Sequence, residues 1–321
     1  MLWMVLNVIQ GEQTSDFSQR NIGFFSGMTS YKKPRTSVRG SYRKLAIYLG
    51  PGGTPISSPE SSTIAGIRQV AKLGLNALEV EFVRGVKMSG ATAAEVGDVA
   101  RGLGVRLSVH APYYINLLSD KADVVKASKQ RILDSIDRAE RMGADAVAVH
   151  AAYYGKNTPE EAQAGMADVA GELVDKMKSS GTKVVLGFET MAKAGQWGTL
   201  DEILQLRKAF KSVVPYIDWC HIWARNGGAI DYGEILERLH KAGIKHVNSH
   251  FSNSKYNANT KKWQDIHLPM GLSKPDFGEL AREIVKRKVD ITIISESPLL
   301  EGDSIRMKLA FLKLGYKLKR E

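Results

Sequence analysis

The sequence predicts an α/β fold, a (β/α)8 TIM barrel, over residues 44–321. Three observations predict it. Apolar runs of strand length recur eight times, segments of helical spacing separate them, and glycines stand at the helix-to-strand breaks. Strands that alternate with helices build a parallel sheet, and eight of them in a chain of this length favour closure over an open, doubly wound sheet.

The strands are expected at 45–49, 77–82, 105–109, 146–149, 184–188, 217–222, 244–247 and 291–294. Helical spacing of apolar residues covers 64–73, 124–142, 162–177, 200–210, 232–242, 277–287 and 304–314. The first helix ends at Gly74-Leu75-Asn76, and Gly104, Gly143, Gly181 and Gly243 recur at equivalent points, where a glycine can adopt the left-handed conformation that closes a helix. One connection breaks the rhythm. Residues 251–275 separate the seventh strand from its helix, and structureless loops longer than about 12–15 residues are uncommon unless they carry function or are disordered.

Residues 1–43 differ from the rest. They are rich in Ser, Thr, Arg and Lys without sustained periodicity, and Lys32, Lys33, Arg35, Arg39 and Arg43 crowd their end. The segment reads as a mobile basic extension or as a start codon placed too early; the alternative is an extra DNA-contacting arm. The apolar stretch 2–9 lacks the basic region and small-residue cleavage site of a signal peptide. No apolar run is long enough to span a membrane. The single cysteine, Cys220, excludes a disulfide within the chain and a cysteine-based zinc cluster. A cytoplasmic location without membrane contacts agrees with these features. The net charge of +11 makes a polyanionic partner plausible without distinguishing nucleic acid from a membrane surface.

The histidines carry the chemistry. His110 and His150 end the third and fourth strands, His221 and His250 the sixth and seventh, and His267 lies in the long connection. Carboxylates occupy matching positions: Glu189 after the fifth strand, Asp218 within the sixth, Glu296 after the eighth, and Asp265 two residues before His267. In a TIM barrel these strand ends meet at one rim. Four carboxylates so close together could not all remain ionised without cations. Mixed imidazole and carboxylate ligation suits zinc, with manganese or iron as alternatives. Nine ligands exceed the roughly four that one zinc takes, so two or three metals are implied. His240, on a helix, and His246, near the entry side of the seventh strand, fall outside the pattern and read as structural, as does Cys220.

With these residues in place, the chain resembles the endonuclease IV family of apurinic/apyrimidinic endonucleases, a branch of the xylose isomerase-like TIM-barrel superfamily. The matching motifs are His110-Ala111-Pro112-Tyr113-Tyr114-Ile115-Asn116, Asp218-Trp219-Cys220-His221, His250-Phe251-Ser252-Asn253-Ser254-Lys255, Asp265-Ile266-His267 and Ser295-Glu296-Ser297-Pro298, and the likeness spans about residues 44–315. It implies three Zn2+ per chain, with Mn2+ as a possible substitute. His110, His150 and Glu189 would hold one; Glu189 would bridge to a second held by Asp218, His250 and Glu296; His221, Asp265 and His267 would hold the third. Three positions depart from the family pattern without removing a ligand. Ala151-Ala152 follows His150 in place of Pro-Gly, Glu189-Thr190-Met191 replaces Glu-Asn-Thr, and Asn253 stands where the family has aspartate.

The activity implied is DNA repair by base excision: hydrolysis of the phosphodiester 5′ to an abasic site in duplex DNA, leaving a 3′-hydroxyl and a 5′-deoxyribose phosphate, with blocked 3′ ends as further substrates. Glu189 and Glu296 are the expected catalytic carboxylates. Tyr113 and Tyr114, directly after His110, are placed to enter the base stack, and Arg84, Asn116 and Lys255 are further candidate DNA contacts. Two alternatives remain. One is a metal-dependent sugar isomerase or epimerase on the same barrel, since fold does not fix function. The other is a protein that binds DNA lesions without cutting them.

Overall fold

The computed structural model describes residues 45–316 and 318; the basic extension expected over 1–43 lies outside them. In chain order the elements are β1 (Ile47–Pro51), α1 (Thr63–Lys72), β2 (Ala77–Glu81), α2 (Gly90–Leu103), β3 (Arg106–His110), α3 (Ala122–Met142), β4 (Ala146–Val149), β5 (Ala152–Tyr153), α4 (Pro159–Ser180) and β6 (Val185–Glu189). Then come β7 (Gln196–Trp197), α5 (Leu200–Ala209), β8 (Val213–Asp218), α6 (Trp219–Arg225), α7 (Tyr232–Lys241), β9 (Val247–Phe251), β10 (Asn253–Asn257), β11 (Lys262–Leu268), α8 (Phe277–Arg287), β12 (Ile291–Ser295) and α9 (Glu301–Lys313).

Eight strands pair in parallel in the order β1-β12-β9-β8-β6-β4-β3-β2, giving a nearly closed TIM barrel of the xylose isomerase-like type. The last seam, between β1 and β2, is closed differently. Gly52 bridges to Glu79, and the Asn76 side chain takes the place of a neighbouring strand, accepting from Leu49 N and donating to the Ile47 carbonyl. Gly50 is required there. A Cβ at Gly50 would fall 1.7 Å from the Ala77 carbonyl oxygen, so only a residue without one admits so close an approach.

Strand alternation divides each strand between two environments. One face joins the helices in the main apolar core, as Leu107 and Val109 do from β3 and Leu186 and Phe188 from β6. The other face points into the barrel, where only small apolar groups form, such as Ala146 and Ala148 around Tyr216. Inward-facing residues therefore come in pairs two apart: Ser108 and His110, Gly187 and Glu189, Tyr216 and Asp218, Asn248 and His250. Gly187 leaves room for the Tyr216 ring, because a Cβ there would sit 2.8 Å from Tyr216 Cδ2.

Four expectations need correction. The seventh barrel strand is 247–251 rather than 244–247, so His250 lies within it and His246 just before it. The sixth barrel strand is 213–218 rather than 217–222, so Asp218 ends it and His221 lies in the first turn of α6. Pro215 interrupts the strand signal, while the apolar run Trp219 to Ile222 continues it falsely into the helix. Helix α2 escapes the apolar pattern because its sequence, Gly-Ala-Thr-Ala-Ala-Glu-Val-Gly, is made largely of small residues. The connection 251–275 is not structureless: β10 and β11 pair antiparallel as a hairpin inside it.

Candidate metal centre

The site grows out of the strand ends. His110, Glu189 and Asp218 are the last residues of β3, β6 and β8, while His150 and Glu296 directly follow β4 and β12. His250 is one residue from the end of β9. Asp218 also caps α6: its Oδ1 accepts from His221 N at 2.6 Å, so a strand-end carboxylate fixes where the next histidine starts. Asp265 and His267 arrive on β11. The hairpin is braced internally by the Ser254 hydroxyl, which donates to the Gln264 carbonyl, and is held against α6 by Trp263 packed on Trp223, with ring centroids 5.3 Å apart.

These side chains form three groups able to hold a metal ion: His110 with His150 and Glu189; Glu189 with Asp218, His250 and Glu296; and Asp218 with His221 and His267. Within each group the ligand atoms lie within 4.8 Å of one another. Glu189 is the hub. Its Oε2 faces His110 Nε2 at 3.4 Å and His150 Nε2 at 3.0 Å, and its Oε1 faces His221 Nδ1 at 3.1 Å and His250 Nδ1 at 3.4 Å. Asp265 Oδ1 stands 2.9 Å from His221 Nε2 and 3.6 Å from His267 Nε2.

The donor set fits cations. His110 Nε2, both oxygens of Glu189, Asp218 Oδ2, His250 Nδ1 and His267 Nε2 are buried without a hydrogen-bond partner, although several face one another across short distances. Buried polar atoms are normally paired, and such a cluster of exceptions fits bound cations. The imidazoles are also oriented for one. His110 Nδ1 meets the Ala111 carbonyl at 2.7 Å, His221 Nδ1 the Thr190 carbonyl at 3.0 Å, and His267 Nδ1 the Glu296 carbonyl at 3.2 Å. A nitrogen that donates to a carbonyl leaves the opposite lone pair facing the cluster, the arrangement of metal-bound histidine.

Charge follows the same logic. Burial opposes ionisation of His110, but Glu189 and Glu81 outweigh it and raise His110 to about 10. Burial likewise opposes His267, which Asp265 and Glu296 raise to about 9. Burial pushes Glu296 up to about 7, with His250 opposing and Glu189 reinforcing the shift. Glu189 is held well below the usual carboxylate range, its burial overcome by His150 and His250. Protons and metal ions would thus compete for the same atoms. Burial pushes the Cys220 thiol up to about 12, which agrees with a packing role and not a nucleophilic one. His246, also outside the cluster, meets Thr292 Oγ1 at 2.8 Å.

Sequence reasoning missed two carboxylates. Glu79 and Glu81 of β2 point into the barrel, where Glu79 is fully buried. Burial opposes its charge, yet His250 brings Glu79 down to about 2, whereas burial raises Glu81 to about 8 despite His110. The signal was available: two glutamates two residues apart, in a strand whose other positions are apolar, share the inward face.

The remaining candidates surround the mouth. Tyr113 and Tyr114 are exposed, with the Tyr113 ring 5.1 Å from His110 and 5.4 Å from His150. Arg84 is exposed on the wall of a cleft of about 460 Å³ that also involves Gly53, Glu79, Glu81 and Lys87. Lys255 is exposed on the hairpin, and Asn116 is half-buried, its Oδ1 accepting from Leu118 N and Tyr153 N. Arg225, whose charge and place after the sixth strand also suggest a phosphate contact, is committed elsewhere, donating to the Met191, Lys193 and Gln196 carbonyls. Asn253 is a structural amide: Nδ2 donates to the Pro275 carbonyl at 2.7 Å while Oδ1 accepts from Gly271 N and Ser273 N. Among the described residues, no helix is long and apolar enough to cross a membrane.

Comparison with known proteins agrees with this architecture. An uncharacterised protein of Methanocaldococcus jannaschii is 31% identical over 281 residues, covering 85% of this chain and 99% of its own. A probable endonuclease 4 of Mycoplasmopsis pulmonis is 29% identical over 210 residues, covering 61% of this chain and 72% of its own. Among solved structures, a D-tagatose 3-epimerase-like protein superposes with a TM-score of 0.65 at 22% identity, covering 83% of this chain and 98% of its own. Endonuclease IV from Thermus thermophilus superposes with a TM-score of 0.61 at 18% identity, covering 82% and 99%. At these identities the structural likenesses establish the fold and leave the reaction open. Residues 67–313 match the family described as xylose isomerase-like TIM barrel, and the chain belongs to that family.

Proposed function

We propose that this chain is a DNA-repair endonuclease that hydrolyses the phosphodiester 5′ to an abasic site in duplex DNA, using three zinc ions. One observation carries the reading: the hairpin brings His267 to Asp218 and His221, a third group able to hold a metal besides the two around Glu189, and sets Asp265 2.9 Å from His221 Nε2. His110, His150 and Glu189 hold one ion; Glu189, Asp218, His250 and Glu296 hold the second; His221, Asp265 and His267 hold the third. Bound there, zinc supplies a nucleophile at neutral pH and stabilises charge on the phosphate and leaving oxygen. Glu189 would be shared by two of these groups and Glu296 would belong to the central one, which makes them the two carboxylates expected at the reacting phosphate. Tyr113, exposed beside His110 and His150, enters the stack left by the missing base, with Tyr114 beside it. Arg84, Asn116 and Lys255 orient the backbone, Asn116 through the amide nitrogen that its loop contacts leave available. Blocked 3′ ends are secondary substrates, Mn2+ is a possible substitute metal, and the protein acts as a monomer at the nucleoid.

A second reading has its own support. Glu189, Asp218, His250 and Glu296 alone make a four-ligand set dominated by carboxylates, which suits one hard cation and a sugar isomerase or epimerase. Two assays separate the readings. Zinc-loaded protein is expected to nick duplex DNA at a single abasic site and to leave a 3′-hydroxyl, with loss of activity in Glu296→Ala. Intact DNA together with interconversion of ketoses or aldoses would transfer the site to sugar chemistry.

A further inference from the structure

The five imidazoles of the centre are not held alike. His110, His221 and His267 each turn one nitrogen to a backbone carbonyl, a neutral acceptor. His250 differs, because its Nε2 meets the Glu79 carboxylate at 2.7 Å, with both side chains fully buried. Glu79 is itself locked. Its Oε2 accepts from the Tyr216 hydroxyl at 2.6 Å and from the Ser108 hydroxyl at 2.7 Å. Three donors from β3, β8 and β9 therefore fix one carboxylate from β2, in the barrel layer directly beneath the metal ligands. The opposite nitrogen, His250 Nδ1, is buried without a hydrogen-bond partner and lies 3.4 Å from both Glu189 Oε1 and Glu296 Oε1.

We infer that Glu79 is a positioning residue for the central cation: it holds the His250 proton on Nε2, keeps the Nδ1 lone pair aimed between Glu189 and Glu296, and makes that imidazole a stronger donor than its neighbours. A carboxylate behind a metal-bound histidine fixes the tautomer, prevents ring rotation and raises ligand basicity. The central group needs this most, since its other ligands are all carboxylates and a rotated or protonated Nδ1 would leave them facing one another. Neither Ser108 nor Tyr216 reaches the metal ligands in this way; they orient Glu79.

The inference rests on the metal centre of the proposed function and not on its DNA substrate. The test uses the full chain and Zn2+ alone. Glu79→Gln keeps the shape but can present an amide donor to His250 Nε2, favouring the wrong tautomer. Competition with a chelating dye is expected to show one class of zinc site weakened about 10–100-fold, with circular dichroism unchanged. Tyr216→Phe, which keeps the carboxylate, is expected to lose less. Should Glu79→Gln not fold, long-range 1H–15N correlation of the histidine rings in zinc-loaded wild-type protein still decides: the His250 proton is expected on Nε2. A proton on Nδ1, or a folded Glu79→Gln protein with unaltered zinc affinity, would overturn the inference. Wild-type protein that binds no zinc would overturn the reading of the centre itself, a distinguishable result.

Discussion

Asp265 Oδ1 lies 2.9 Å from His221 Nε2, joining a hairpin to the first turn of a helix across 44 residues of sequence. The same hairpin carries His267, which completes the third candidate group with Asp218 and His221. Wild-type protein is expected to carry about three zinc ions per chain and His267→Ala about two, by metal analysis after dialysis. Equal zinc contents would dissociate the hairpin from metal binding.

Glu189 touches two of the three groups, so its neutral isostere tests the hub. In Glu189→Gln one oxygen becomes an amide donor facing histidines, and zinc affinity is expected to fall about 100-fold or more, with incision falling in step. Retention of both would remove Glu189 as the shared ligand.

Tyr113 lies beside His110 and His150 yet is exposed, which suits a group that meets substrate rather than metal. Tyr113→Ala is expected to raise KM for abasic duplex about tenfold, from a stacking contribution of about 1–3 kcal/mol. Zinc content should not change. A variant with unaltered KM would assign the ring to rim packing.

Asn253 stands where the endonuclease IV pattern has aspartate, and its amide nitrogen donates to the Pro275 carbonyl. Asn253→Asp replaces that donor with an acceptor facing an acceptor. Stability is expected to fall by about 1–3 kcal/mol, measured by urea unfolding of the zinc-loaded protein. An unchanged midpoint would show that the loop relaxes around the carboxylate.

His246 gives a pH dependence separable from the metal ligands. Burial, with Arg106 adding to it, lowers His246 to about 3. The unfolded chain therefore takes up its proton near 6.5 while the folded chain resists, and the stability contributed above that pH is lost as pH falls from about 6.5 toward 3. In His246→Asn the loss of stability between pH 7 and pH 5 is expected to be smaller than in wild type by on the order of 1 kcal/mol. Parallel pH profiles for the two proteins would contradict the assignment.

The eightfold alternation and most of the strand-end residues were legible in the sequence because local periodicity marks a strand and the face its residues share, although it misplaced the sixth strand and with it His221. Parallel closure then brings distant strand ends together without further instruction, so His110 and Glu296 could be paired in one mouth before any coordinates. What periodicity could not supply is direction across the barrel. Alternation puts Glu79 and Glu81 on one face of an otherwise apolar strand; only closure sets Glu79 against Ser108, Tyr216 and His250, from three other strands. His221 sits on a helix turn because Asp218 caps that helix, a choice hidden by the continuous apolar run after Pro215. The hairpin that carries Asp265 and His267 was hidden too, since the packing of Trp263 on Trp223 is a contact between segments, with no signature within either. Local chemistry marked the candidate ligands, and the long-range contacts that follow from closing the sheet decided how each side chain is held.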